Sequence, residues 1–186
     1  MTPSDWSRDG KFLAYDVLDS QLRGDIWILP LAAGRKPFPL KTTPASERSA
    51  QFSPDGKWIA YISDEGAATS AGTPQIYVQP FAAEATNPSR WPISVNGGLG
   101  PRWRGDGREL FYFEGRKLMA VEIGTSGRNF EAGIPKELFE APPQGIGHSM
   151  LAVSADGQRF LLAVQVESDA AVPISLLLNW TSRTQK

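Results

Sequence analysis

Residues 48–64 read RSAQFSPDGKWIAYISD. A short run ending in Phe52 meets Ser53-Pro54-Asp55-Gly56, and a second run from Lys57 to Ile62 carries Trp58, Ile59 and Tyr61. Proline at the second turn position pre-sets its backbone angle. Glycine after Asp55 accepts the positive φ needed to leave a type I turn between two antiparallel strands. The stretch therefore predicts a β-hairpin, with Asp55 bonding the backbone of its own turn.

The same hairpin recurs along the chain. Its turn stands at Ser7-Arg8-Asp9-Gly10, Ser53-Pro54-Asp55-Gly56, Arg104-Gly105-Asp106-Gly107 and Ser154-Ala155-Asp156-Gly157. The steps between successive aspartates are 46, 51 and 50 residues, at or slightly above the period of a propeller blade. Trp6, Phe52, Trp103 and Val153 precede the turns. FLAY from Phe12, WIAY from Trp58, ELFY from Glu109 and RFLL from Arg159 follow them. Equivalent side chains at equivalent places mark four copies of one unit.

Each unit holds more than a hairpin. Asp25 to Leu29 and Lys36 to Leu40 read as third and fourth strands of the first unit, and Gln75 to Val78 and Arg90 to Val95 do so in the second. Lys117 to Val121 and Lys136 to Phe139 repeat the scheme. Pro37, Pro39 and Pro92 fall in the fourth segments, where a missing N–H is tolerated only at a sheet edge. Four antiparallel strands per unit with a proline-bearing outer strand describe a propeller blade. A β-sandwich would require neither the period nor the repeated positions. The expected architecture is an all-β propeller of four blades in one domain over 1–186, at approximately 1–45, 46–96, 97–145 and 146–186. In the last blade Pro173 to Trp180 supplies a third strand and no outer strand follows, which leaves Leu176 to Leu178 as an exposed edge.

Composition narrows the function classes. The chain has 186 residues, 19 Lys and Arg against 20 Asp and Glu, and no cysteine. A near-neutral balance argues against a broad nucleic-acid or anionic-membrane surface. Without cysteine, disulfides, thiolate chemistry and cysteine metal sites are excluded, and the compartment stays open. No apolar run is long enough to span a bilayer, and MTPSDWSRDG lacks the basic and apolar regions of a signal peptide. Any export signal is expected outside this chain.

The ordered series DWSRDGKFLAYDV, DIWILPL, QFSPDGKWIAYISDEG, IYVQPF, PRWRGDGRELFY, KLMAVEI, VSADGQRFL and LLLNWTS covers nearly the whole chain. It resembles the C-terminal part of TolB-like (WD-type) β-propellers, close to those fused behind bacterial serine/threonine protein kinases and some transcriptional regulators. The resemblance implies a ring of six or more blades acting as a sensor or protein-interaction platform, and allows an extracytoplasmic sensor region of a longer bacterial protein. It does not carry kinase activity here, because the sequence has neither a glycine-rich phosphate loop in kinase context nor a His-Arg-Asp catalytic loop.

Four blades leave the first and last blade each with an uncovered face. A few hundred Å² of apolar surface per face, at about 25 cal/mol/Å², is worth on the order of 5–10 kcal/mol. Two chains completing one eight-bladed ring around a two-fold axis is the expected outcome, with a tight four-bladed monomer and an unstable truncation as competitors.

His148 is the only histidine, so any histidine mechanism passes through it. Its neighbour Ser149 points to the opposite strand face, and Leu151 stands where G-x-S-x-G needs glycine, so a Ser–His nucleophile is geometrically poor. Arg48, Arg102 and His148 stand at the starts of innermost strands and are the tentative ligand-binding set at the channel mouth, a cationic group suited to carboxylate or phosphate. Asp9, Asp55, Asp106 and Asp156 are read as turn residues, and Asp16, Asp64 and Glu65 as solvated strand ends. Trp6, Trp58, Trp103, Tyr15, Tyr61 and Tyr112 are read as inter-blade core. Asn96 to Gly100 precedes a strand and lacks the helix N-terminus that would bind phosphate.

No metal site, cofactor or catalytic set is identified. The leading expectation is a non-catalytic module that binds a peptide or small-molecule ligand and assembles as a homodimer. A hydrolase of esters, lactones or glycosides and a self-assembling structural fragment are the alternatives.

Overall fold

The structure is a computed structural model that describes residues 1–20, 23–41, 43–65, 73–81, 89–126, 129–142, 151–164 and 176–177. All its regular elements are strands, in four antiparallel sheets. The first sheet orders β1 (Thr2–Trp6), β2 (Phe12–Leu18), β3 (Gly24–Pro30) and β4 (Phe38–Lys41). The second orders β5 (Glu47–Phe52), β6 (Trp58–Ser63), β7 (Gln75–Pro80) and β8 (Trp91–Pro92). The third joins β9 (Leu99–Trp103), β10 (Glu109–Glu114) and β11 (Lys117–Ser126). The first half of β11 pairs β13 (Lys136–Glu140) and its second half pairs β12 (Asn129–Ala132). The fourth sheet orders β14 (Leu151–Val153), β15 (Phe160–Leu162) and β16 (Leu176–Leu177). No helix among the described residues is long and apolar enough to cross a membrane.

Each hairpin turn closes as its residues dictate. Gly10, Gly56, Gly107 and Gly157 have φ of 74°, 69°, 75° and 71°, values that L side chains adopt at a cost. The aspartate Oδ1 of each turn accepts the backbone N–H two residues on, at 3.1, 3.1, 3.0 and 3.0 Å for Asp9, Asp55, Asp106 and Asp156.

Side chains alternate across each strand, so every blade shows one face to each neighbour. Ile59 and Tyr61 of β6 join Ala14, Ile26, Ile28 and Phe52 between the first two blades. Trp58, Ala60 and Ile62 join Leu110, Tyr112 and Val121 between the second and third. Phe111 and Phe113 meet Phe160 and Leu162 between the third and fourth. With both faces covered, all six residues of β6 are buried. The innermost strands stand side by side, β1 against β5, β5 against β9 and β9 against β14. This is the stacked arrangement of a partial β-propeller.

β12 was not anticipated from the sequence. It folds from the third blade back onto the second, and its Phe130 packs on Trp58 and Trp91 at ring separations of 4.9 and 5.2 Å. Three expected placements change. Trp6 is 61% exposed and Tyr15 is only partly buried, because no blade among the described residues covers their face of the first sheet. Asp16 is only 1% exposed. It lies inside β2, and its two carboxylate oxygens accept the Ser49 N–H at 3.3 and 3.1 Å.

Candidate functional site

The residue before the last position of each innermost strand is Asp5, Gln51, Arg102 or Ala152. Register irregularities just upstream, at Pro3/Asp5 in β1, Arg48/Gln51 in β5 and opposite Phe111/Phe113 in β9, re-aim the first three, as β-bulges do. Ser49, the only non-glycine with positive φ among the described residues, has φ 59° in the second of these, where the third blade has Gly100 at 61°.

These side chains bond from blade to blade. Phe52 N–H donates to Asp5 Oδ2 at 2.8 Å, and Gln51 Nε2 donates to Ser4 O at 2.7 Å. Arg102 Nε donates to Leu151 O at 2.8 Å, and Trp103 Nε1 donates to Gln51 O at 3.1 Å. Together they line a cavity of about 250 Å³ with contributions from all four innermost strands and turns, including Asp5, Trp6, Arg8, Gln51, Arg102 and Trp103. Burial pushes the Asp5 carboxyl above its usual range, against the opposing pull of the Phe52 and Trp6 N–H groups and of the Arg102 charge. Burial likewise lowers the Arg102 guanidinium, which the Asp5 charge partly restores. Acid, amide and base thus share one axial space of reduced solvation.

The turns narrow the same end. Arg8 Nη1 donates to Gly105 O at 3.0 Å, and Gly105 N–H donates to Ala155 O at 3.0 Å. A Cβ on Gly105 would stand 2.6 Å from Ala155 O, so this approach of two turns requires glycine there.

Of the three residues singled out from the sequence, Arg102 lies in this cavity. Arg48 is exposed, and its stem lies on Gly24 of β3, where an added Cβ would meet Arg48 Cγ at 2.4 Å. His148 lies outside the described residues. Asp5 and Gln51 were not singled out, and Trp6 was read only as inter-blade core. Their signal was the repeat register, since Asp5 and Gln51 occupy the place of Arg102 in their own blades.

A second polar cluster sits at the other end of the first two blades. Glu47 is fully buried, and its Oε1 accepts the Thr43 hydroxyl at 2.5 Å. Burial raises the Glu47 carboxyl, and Glu47 Oε2 has no hydrogen-bond partner among the described residues. Glu65 pairs with Arg90, and with Lys41 at 3.7 Å. The Arg90 guanidinium lies 4.3 Å from the centre of the Tyr77 ring, within cation–π range. Burial pushes the Tyr61 phenol up to about 12. The cluster cross-links Lys41 of β4 to the second blade. Among the described residues no group of three or more His, Asp or Glu is placed to hold a metal ion.

No protein-family model and no curated protein matches the chain. Solved structures do. TolB from Acinetobacter baumannii is similar over 89% of this chain and 38% of its own, at 21% identity and a TM-score of 0.59. A putative TolB from Agrobacterium tumefaciens covers 72% of this chain and 48% of its own, at 19% identity and a TM-score of 0.51. The tricorn protease aligns with 87% of this chain over 20% of its own length, at 15% identity and a TM-score of 0.53. The chain therefore has the TolB-like β-propeller fold and spans less than half the length of the TolB chains it matches.

Proposed function

We propose that the chain is a non-catalytic propeller module that binds a peptide end or a small polar molecule in its axial cavity, and that a second copy completes its ring. The observation that carries the reading is the meeting of Asp5, Gln51 and Arg102 in one cavity fed by every innermost strand. Its volume of about 250 Å³ lies below the roughly 300–1,000 Å³ of drug-sized pockets, which favours a head group or chain terminus. A carboxylate and a guanidinium beside an amide complement a ligand carrying both charges or a peptide bond. Trp6 and Trp103 offer flat apolar walls.

A hydrolase is less well supported. Ser53 also lines the cavity, but its hydroxyl donates to Asp55 Oδ1 at 2.6 Å and accepts from Trp58 N–H at 2.9 Å. It is committed to the turn.

The test is thermal unfolding of the whole chain with a panel of free amino acids, dipeptides and small dicarboxylates. A ligand at about a hundred times its Kd adds about 2.7 kcal/mol by mass action. A concentration-dependent rise in Tm is expected for at least one class, and its loss in Arg8→Ala and Gln51→Ala. A flat response across the panel would overturn the binding reading.

A further inference from the structure

The second and third blades show what a covered preceding face looks like. Ile59 and Tyr61 in β6, and Leu110 and Tyr112 in β10, are all at 0% exposure. Leu13 and Tyr15 fill the same repeat positions in β2, yet both are only partly buried. Leu13 pairs with Trp6 and Leu29, and Tyr15 with Trp27, so these aromatic and aliphatic side chains form one sheet face. At the far end of the chain, Leu161 stands where the second and third blades have Ala60 and Phe111, at 0% and 1% exposure. Leu161 is 41% exposed. Among the described residues, one preceding face and one following face are therefore uncovered.

We infer that the two unlike faces cover one another between two copies: the Leu161 face of each copy packs on the Trp6–Leu13–Tyr15 face of the other. The inference rests on the two-copy reading above and names the surfaces. Continuity with the interfaces inside the chain supports it, because the same face-to-face packing already occurs three times, at each blade junction. The contact is heterologous, and two such contacts close a ring. A partner using its own first blade instead would set Trp6 against Trp6 and leave Leu161 in water.

The repeat also assigns Trp6 a role. Trp103, at the equivalent position, donates its indole N–H to the backbone carbonyl of Gln51 in the preceding blade. The residue of the fourth blade equivalent to Gln51 is Ala152. The Trp6 indole N–H therefore donates to the carbonyl of Ala152 of the partner subunit.

Sedimentation velocity at micromolar concentration tests this with Trp6→Glu and Leu161→Glu, both at exposed positions, with circular dichroism as the folding control. The wild type is expected to sediment as two chains and each variant as one. An equimolar mixture of the two variants is expected to recover a two-chain boundary, because one intact pair of faces remains. A monomeric wild type would overturn the two-copy reading itself. A wild-type dimer that survives Leu161→Glu, or a mixture that stays monomeric, would overturn only the assignment of faces. If either glutamate variant fails to fold, Trp6→Phe provides the second readout. It keeps the ring and removes the N–H, so weaker association is expected, and an unchanged dimer would overturn the Trp6 assignment.

Discussion

The two ends of the blades are built in different ways. At the turn end the chain repeats itself. Ser7, Ser53 and Ser154 donate their hydroxyls to Asp9, Asp55 and Asp156, and accept the N–H of Phe12, Trp58 and Arg159 at 2.9 Å each. The third blade replaces the serine with Arg104, which pairs instead with Glu109 at 3.0 Å and Asp106 at 3.5 Å. At the other end nothing repeats among the described residues. Glu47, Lys41, Glu65 and Arg90 gather only between the first two blades. The difference separates local chemistry, which each hairpin completes alone, from chemistry that exists only once two blades have packed.

Removing one member of the local set is expected to have the largest effect. Ser53 is 3% exposed, and Ser53→Ala strips the Trp58 N–H of its hydroxyl acceptor inside the inter-blade seam. A buried group left without a partner costs about 1–3 kcal/mol, so denaturant unfolding should show a loss of that order. The equivalent change at the exposed Ser154 turn should cost less. Equal losses at both would mean that burial does not distinguish the two turns.

Glycine substitution probes the same end by backbone geometry alone. Gly56 has φ 69° and open space where a Cβ would stand, so Gly56→Ala meets no neighbour. Its expected cost, about 1 kcal/mol, is that of holding an L residue in the left-handed region. Gly105→Ala does meet a neighbour, the Ala155 carbonyl, and should cost more and loosen the contact between the third and fourth blades. Equal denaturation midpoints for the two variants would contradict the close approach of those turns.

Legibility from sequence follows the same division. The hairpins, their period and the blade order are readable because Ser/Arg-x-Asp-Gly chemistry is complete within a few residues and recurs in register. The axial set was legible in one of its three members. Arg102 was singled out as a cation near a strand start, whereas Asp5 and Gln51 become visible only when the repeat is aligned on that residue. Arg48 has the same charge, but the bulge at Ser49 turns it onto Gly24 and away from the axis. Asp16 reads as a solvated strand end, and only packing reveals its bond to Ser49 N–H. β12 was hidden because its four residues carry one buried side chain, Phe130, whose partners Trp58 and Trp91 lie in another blade.

The smallest expected effect belongs to the non-repeating end and is one of pH. Burial raises Glu47 above its ordinary value of 4.5, so the folded chain binds this proton more readily than the unfolded chain. The stability that Glu47 contributes is therefore full below 4.5 and is lost as pH rises through its folded value. Glu47→Gln keeps the shape and an acceptor for Thr43 while removing the charge that burial disfavours. The variant should gain Tm relative to wild type as pH rises from about 4.5 to 7, with the two converging at the acid end. Asp9 works in the opposite sense at the turn end. The Ser7 hydroxyl first, then Lys11, lowers it from 3.8 to about 2. Its contribution is present above 3.8, is lost as pH falls toward 2, and remains in the Glu47→Gln chain. The variant should therefore keep the wild-type loss of stability below pH 4 and lose only the decline above it. A variant parallel to wild type from pH 4.5 to 7 would show that Glu47 stays ionised at no cost, and the cluster around it would then be a solvated ion network.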